Sequence, residues 1–235
     1  MRLSGKQRFA LVEAMMPKEK RSRLFIVDDH PLMRMGIAAL INQESDLAVC
    51  GEAGDAVQAL KLISEIHPDL AIVDLSLKDA SGIELIKQIK ARNDRIAILV
   101  VSMYDEFLYA ERAFRAGAMG YVMKQETPER LLEAIRRVLR GSVYMSDGLN
   151  EKMVYQLVTG HSGLSPSPME QLSDREMEVF HLIGRGFKIC QISQVMNVSV
   201  KTVETYRNRI KEKLNIKQSN ELLQYAIQWL QNKSA

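Results

Sequence analysis

Short, continuous apolar runs alternate with amphipathic stretches over residues 22–140. The runs fall at Leu24–Val27, at about 46–50, at Leu70–Val73, at Ile96–Val101 and at 120–123. Between them the apolar spacing turns helical: Met33, Ile37, Leu40 and Ile41, then Gly82, Leu85, Ile86 and Ile89, then Leu131, Ile135, Val138 and Leu139. Strand followed by helix, repeated, predicts a parallel (βα)5 sheet covered by helices on both faces. The runs at 70–73 and 96–101 are almost wholly apolar, as central strands buried on both faces must be. Pro31 and Pro128 sit where helices would open, a position that needs no backbone N–H.

The pattern changes after residue 140. Gly141, Gly148, Gly160 and Gly163 and the stretch Ser165-Pro166-Ser167-Pro168 read as a linker, 141–170, with a short helix near 149–159 and a flexible stretch around 160–170. Residues 171–235 form a second domain, whose residues 173–231 read as four helices without a strand. Ser173 and Glu176 form a capping box at the first. Gly184 and Gly186 mark its end, a second helix spans 188–196, a third follows Ser199, and a fourth covers 219–231. Residues 1–21 form a basic extension. It reads as a solvated tail or a short docking helix, and Met15 or Met16 is an alternative start.

Composition places the chain among soluble proteins with real cores: 46% hydrophobic and 26% charged residues over 235 positions. No apolar run approaches the ~18 residues of a membrane span, and no secretory signal follows the basic start. Cys50 and Cys190, far apart in sequence, are expected to be small buried hydrophobes in a reducing compartment. Charge is unevenly spread. Residues 1–21 carry six Lys/Arg against two Asp/Glu, and 170–235 carry ten against seven. The overall +3 therefore leaves about −4 for the middle, an acidic domain ahead of a basic one.

The polar residues that end the strands carry the chemistry. Asp28 and Asp29 follow the first run, Asp74 follows the third, Ser102 ends the fourth and Lys124 ends the fifth. In an open parallel sheet, sites form at the carboxyl ends of strands. Carboxylates gathered at one point repel one another unless a cation lies between them, and hard oxygen ligands favour Mg2+. Such an ion also neutralises an incoming phosphoryl group. A carboxylate beside it can attack phosphorus, with Ser102 and Lys124 placed to bind the phosphoryl oxygens. One strand-end Asp alone would be an ordinary turn former; the joint pattern is what points to chemistry.

Four stretches resemble the receiver domains of bacterial response regulators: Phe25-Ile26-Val27-Asp28-Asp29-His30-Pro31, Asp69 to Leu77, Val100-Val101-Ser102, and Gly117 to Lys124. The resemblance covers residues 22–140 and implies a doubly wound, flavodoxin-like fold. It implies that Asp74 is the phosphoacceptor and that Asp29, Asp74 and the backbone carbonyl of Ser76 hold Mg2+, Asp28 acting through a water. Ser102 and Tyr121 correspond to the family's switch pair, the hydroxyl moving toward the phosphate while the ring turns inward. Asp79-Ala80-Ser81-Gly82 matches the loop after the phosphoacceptor. Lys78 and Gln125 stand where the family often has Pro, which leaves the loop's shape and a cis peptide open.

In the basic half, Val203, Ile210 and Leu214 form the buried stripe of the third helix, about 200–214, with Tyr206 half covered. Lys201, Glu204, Thr205 and Asn208 fall on its exposed face. With the preceding helix and the turn Met196-Asn197-Val198-Ser199, this is a helix-turn-helix arrangement, whose second helix enters the major groove. Leu172 to Val179, Ile192 to Arg207 and Lys213-Leu214-Asn215-Ile216 resemble LuxR-type helix-turn-helix domains. By matching positions, Lys201, Thr202, Glu204, Thr205, Arg207, Asn208 and Lys211 are the candidate DNA contacts, Arg207, Arg209 and Lys211 toward phosphates. Glu204 departs from a family pattern that commonly has Lys there. A carboxylate can accept a hydrogen bond from cytosine N4.

Together these resemblances imply a two-component response regulator of the NarL/FixJ family. A histidine kinase would phosphorylate Asp74, and the altered receiver surface would either release the back domain or promote a homodimer on double-stranded promoter DNA. The chain would be cytoplasmic, off the membrane, and no enzyme beyond loss of its own phosphoryl group. The fourth helix, with Leu222, Leu223, Ala226, Ile227, Trp229 and Leu230, suits either a dimer face or packing within its own domain. Two other classes fit the residues less well. Aspartyl-phosphate phosphohydrolases of the haloacid-dehalogenase type want a second Asp two residues after the nucleophile, where this chain has Ser76. A DNA-binding protein with a vestigial receiver would not need the intact acidic set.

Overall fold

The computed structural model describes residues 21–78, 80–158 and 168–233. The front half runs β1 (Ser22–Val27), α1 (Pro31–Asn42), β2 (Leu47–Ala53), α2 (Ala56–Ile66), β3 (Leu70–Val73), α3 (Gly82–Arg92), β4 (Ala97–Ser102), α4 (Glu106–Arg115), β5 (Gly120–Met123) and α5 (Pro128–Leu139). All strand pairs are parallel, in the order β2-β1-β3-β4-β5. Chain order reverses beside β1, which opens a crevice at the carboxyl ends of β1 and β3.

Strand alternation sorts the core into two layers. Leu24, Ile26, Leu70, Ile72, Leu99 and Val101 point to one face, where Ile37 and Ile41 of α1 and Leu131 and Ile135 of α5 cover them. Phe25, Val27, Ala71, Val73, Ile98 and Val100 point to the other, beneath α2, α3 and α4. Each fully buried Leu, Ile or Val contributes on the order of 1.5–3 kcal/mol. Helices α2 and α4, whose spacing is less regular, begin at acidic caps. Asp55 accepts from Gln58 N at 2.7 Å, and Asp105 accepts from Phe107 N at 2.8 Å.

Packing of the front half continues past residue 140. Tyr144 forms a parallel bridge with Gly120, and its carbonyl accepts from Tyr121 N at 3.1 Å. Beyond it lie α6 (Asp147–Val158), a 3₁₀ turn (Pro168–Gln171), α7 (Asp174–Gly184), α8 (Ile189–Val195), α9 (Val200–Lys213) and α10 (Ser219–Lys233). The 3₁₀ turn overlaps the stretch around 160–170 expected to be flexible, yet Met169 within it is buried and anchors the turn. The remaining linker residues, 159–167, and residues 1–20 of the basic extension lie outside the described residues.

The capping box forms at α7: Glu176 N donates to Ser173 Oγ at 3.3 Å and Ser173 N donates to Glu176 Oε2 at 2.7 Å. Gly184 does more than end this helix. A Cβ there would press on the Ala226 backbone and the Leu230 side chain, so its absence lets α10 approach closely. Accordingly Leu222 and Ala226 of α10 are buried, and Phe180 meets Tyr225 and Trp229 edge-on. The fourth helix thus spends most of its apolar face inside its own domain, with Leu223 left outside. Asn197 takes a left-handed conformation, φ 50°, in the turn between α8 and α9. Neither cysteine is fully buried. Cys50 is half-buried with its thiol toward Leu24 O, and Cys190 is exposed. No helix among the described residues is long and apolar enough to cross a membrane.

Candidate functional site: an acidic pocket and an exposed helix face

Strand register assembles the pocket. Val27 pairs with Val73, so the next residues, Asp28 and Asp74, emerge side by side. Val73 pairs with Val100, and Ser102 pairs with Met123, which delivers Ser102 and Lys124 to the same edge. Ligand oxygens of Asp28, Asp29 and Asp74, with a ring nitrogen of His30, all lie within 4.8 Å of one another. Lys124 Nζ sits 2.7 Å from both Asp28 Oδ2 and Asp74 Oδ2, and all three side chains are almost wholly buried. The sequence-derived residues Asp28, Asp29, Asp74, Ser102, Tyr121 and Lys124 are therefore brought to one strand-end site.

Burial governs the electrostatics. It pushes Asp74 up to about 6, against the pull of Lys124. Burial alone would lower Lys124, but Asp74 and Asp28 outweigh it and raise the ammonium above its ordinary value. One cation between two carboxylates still leaves negative charge in excess. Asp29 Oδ1 is buried without a hydrogen bond; His30 Nδ1 lies 2.6 Å away but out of alignment for one. An orphaned hard oxygen beside two further carboxylates fits a divalent cation such as Mg2+.

The loop after Asp74 is held tightly. Ser76 N donates to Asp74 Oδ1 at 3.2 Å, and Ser76 bridges to Ser81. Gly82 is required here: a Cβ would collide with the Asp74 carbonyl and with Leu75 Cα. Asp79 lies outside the described residues. No cis peptide occurs among the described residues, including that between Lys124 and Gln125.

The switch pair lies inside the receiver. The Tyr121 ring is turned in, 1% exposed, with its hydroxyl donating to Tyr104 O at 2.8 Å. Ser102 Oγ, fully buried, accepts from Tyr104 N at 3.2 Å. Tyr104, which flanks the site two residues after Ser102, is thus attached by its backbone to both. Its ring stacks on Tyr109 at 4.7 Å.

The second region is the α9 face. Lys201, Glu204, Thr205, Asn208 and Arg209 are exposed, while Thr202, Arg207 and Lys211 are partly covered. Thr202 helps close the helix start, its Oγ1 2.8 Å from Ser199 Oγ and its N donating to the same oxygen at 3.0 Å. Thr205 Oγ1 donates back to Lys201 O at 2.9 Å, and Arg207 donates to Ser219 Oγ. Val203 and Ile210 are buried beneath, against α7 and α8.

A parallel-sheet domain with an acidic strand-end pocket, joined to a helix-turn-helix domain, defines the response regulators, and the chain belongs to that family. Residues 24–136 match the response regulator receiver domain family, and residues 170–226 match the bacterial regulatory proteins of the luxR family. It is a two-component transcription regulator controlled by phosphorylation, with a LuxR-type DNA-binding domain. Among particular proteins, the oxygen regulatory protein NreC of Staphylococcus carnosus (strain TM300) is 35% identical over 209 residues, 87% of this chain and 96% of that one. A LuxR-family two-component response regulator from Aurantimonas sp. SI85-9A1 is 36% identical with TM-score 0.56, covering 59% of this chain and 99% of that one. RcsB from Salmonella enterica serovar Typhimurium, solved on promoter DNA with the phosphomimetic BeF3-, is 26% identical with TM-score 0.57, covering 88% of this chain and 98% of that one.

Proposed function

We propose that this chain is a cytoplasmic response regulator that accepts a phosphoryl group on Asp74 from a sensor histidine kinase and then binds promoter DNA as a homodimer through α9. The observation that carries the reading is the convergence of Asp28, Asp29, Asp74, Ser102 and Lys124 on one strand-end pocket. The relationship to a DNA-bound RcsB supports the output half.

An oxygen of the Asp74 carboxylate forms the new P–O bond as the P–N bond to the kinase's histidine breaks, and the imidazole keeps the electron pair. Asp28, Asp29, Asp74 and the Ser76 carbonyl would hold Mg2+. When bound, that ion neutralises charge on the phosphoryl oxygens. Lys124, now paired with Asp74, pairs instead with the phosphoryl group, and the Ser102 hydroxyl donates to it. Tyr121 stays packed behind Ser102 and limits where that hydroxyl can go. The α9 reading residues are exposed, and control is assigned to the pairing of two chains. Lys201, Asn208 and Glu204 are assigned to base edges, and Thr202, Thr205, Arg207, Arg209 and Lys211 to positioning and phosphate contacts. Autodephosphorylation is the one reaction assigned to the protein itself.

The test is binding to duplexes from its own promoter region at fixed salt, with and without acetyl phosphate and Mg2+, for wild type and Asp74→Ala. Tighter binding on phosphorylation, absent in Asp74→Ala, is the expected result. Equal binding in all four cases would leave a DNA-binding protein whose receiver is not the switch.

A further inference from the structure

The start of α9 is built differently from the starts of α7 and α10 in the same domain. The first turns of α7 and α10 carry acids, Asp174 with Glu176 and Glu221, the charge that a helix N-terminus attracts. The first turn of α9 carries none. Its positive end is therefore not neutralised by its own side chains, and no carboxylate in that turn repels a DNA phosphate. The opening is closed from within instead. Ser199 Oγ accepts from Thr202 N at 3.0 Å and lies 2.8 Å from Thr202 Oγ1. That cap fixes the backbone on either side of Val200, the first residue of the helix.

Val200 is 42% exposed. The other apolar residues of α9 are covered: Val203 and Ile210 are fully buried and Tyr206 is half-buried. A single exposed valine means little by itself. This one stands beside Lys201, one turn before Glu204, on the end of the helix that meets base edges when such a helix enters the major groove. Its branched side chain is stiff at χ1, so the two methyl groups are held in a set direction. They can neither donate nor accept a hydrogen bond.

We infer that Val200 is a specificity-determining residue that reads the C5-methyl group of a thymine in each site α9 occupies. The inference rests on the reading of α9 as the groove helix. Every base pair offers donors or acceptors in the major groove, and thymine alone adds a methyl group there. Cytosine carries only a hydrogen at the same ring position. Against any polar base edge, Val200 would displace water and return no hydrogen bond. Lys201, Glu204 and Asn208 read donors and acceptors; Val200 adds the one apolar letter of the groove.

The experiment measures binding of the full chain, with acetyl phosphate and Mg2+ at fixed salt, to two forms of a duplex from its own promoter region. One form contains thymine and the other deoxyuridine at every thymine position, which removes the methyl groups and keeps the base pairing. Wild type, Val200→Ser and Val195→Ser are compared. Val195, at the end of α8 and 52% exposed, is the control for an exposed valine outside α9. Wild type is expected to bind the deoxyuridine form roughly fourfold more weakly per site, the worth of one buried methyl group. Val200→Ser should lose a similar factor on thymine DNA and no more on deoxyuridine DNA, because both changes remove one contact. Val195→Ser should respond to deoxyuridine as wild type does. Both valines are exposed, and equal thermal melting of the three proteins checks that the fold is kept. Deoxyuridine placed at one thymine at a time should confine the loss to one position per site. Equal wild-type affinity for both forms overturns the assignment, and so does a deoxyuridine loss that persists in Val200→Ser or vanishes in Val195→Ser. A wild type that binds the promoter duplex no better than unrelated DNA overturns α9 as the reading helix, and Val200 with it.

Discussion

The acidic pocket and the α9 face put their polar groups under opposite conditions. In the pocket, Asp28, Asp74 and Lys124 are buried and bonded to one another, and each came from a different strand end. On α9, Lys201, Glu204, Thr205 and Asn208 follow one another along a single helix and face solvent. Desolvation makes the first set interdependent: one residue changed leaves a buried charge without its partner. The second set is nearly independent, because screened groups on one helix face barely sense one another. A regulator thereby keeps a switch that acts as a unit apart from a reader that can change residue by residue.

The sharpest way to break this contrast is at the phosphoacceptor. Asp74→Ala should abolish phosphoryl incorporation from acetyl phosphate, read by intact mass, while half-site DNA binding persists. Loss of both would show that the two regions are not separable. Next in size, Tyr121→Ala removes a ring that is 1% exposed. It should cost about 3–5 kcal/mol of receiver stability by urea denaturation, the usual range for emptying a buried aromatic site.

On the reader, Asn208→Ala and Glu204→Ala should each cost about 1–3 kcal/mol at one base position and relax preference there. Lys211→Ala should weaken binding to every sequence about equally and lower the salt slope by about one. Competition binding across single-base variants of the site checks both. If Glu204→Ala weakens every sequence equally, that residue does not tune sequence choice.

The smallest effect is a pH dependence confined to the pocket. Burial raises Asp74 to about 6, so without metal its carboxyl is largely protonated below that pH and ionised above it. A carboxyl raised in the folded state destabilises the fold as pH climbs from the ordinary Asp value through about 6, and Mg2+ binding removes that cost. Apparent Mg2+ affinity should therefore rise as pH passes upward through about 6, with protons released on binding near that pH. Calorimetry in buffers of different ionisation enthalpy measures both. DNA binding by α9 should show no matching step.

Much of this molecule was legible from residue order. Apolar runs of four to six residues with helical spacing between them admit few arrangements other than a parallel sheet with helices on both faces. Asp28, Asp74, Ser102 and Lys124 could be grouped because strand ends on one sheet edge must meet. Ser173 and Glu176 announce a helix start three residues apart, and a stripe such as Val203 and Ile210 tells which side of α9 is buried. These are local rules, set by backbone geometry and the period of burial. What required three dimensions was contact between segments about a hundred residues apart. Nothing near Arg175 or Glu178 in the chain marks them as neighbours of Leu77, Ala80 and Tyr104. The inward Tyr121 ring, Gly184 as a packing site for α10, and the burial of Met169 also depend on tertiary contact, over shorter separations. Each depends on which surfaces meet once the chain has folded, and the pairing of surfaces is a property of shape and desolvation that no local pattern encodes.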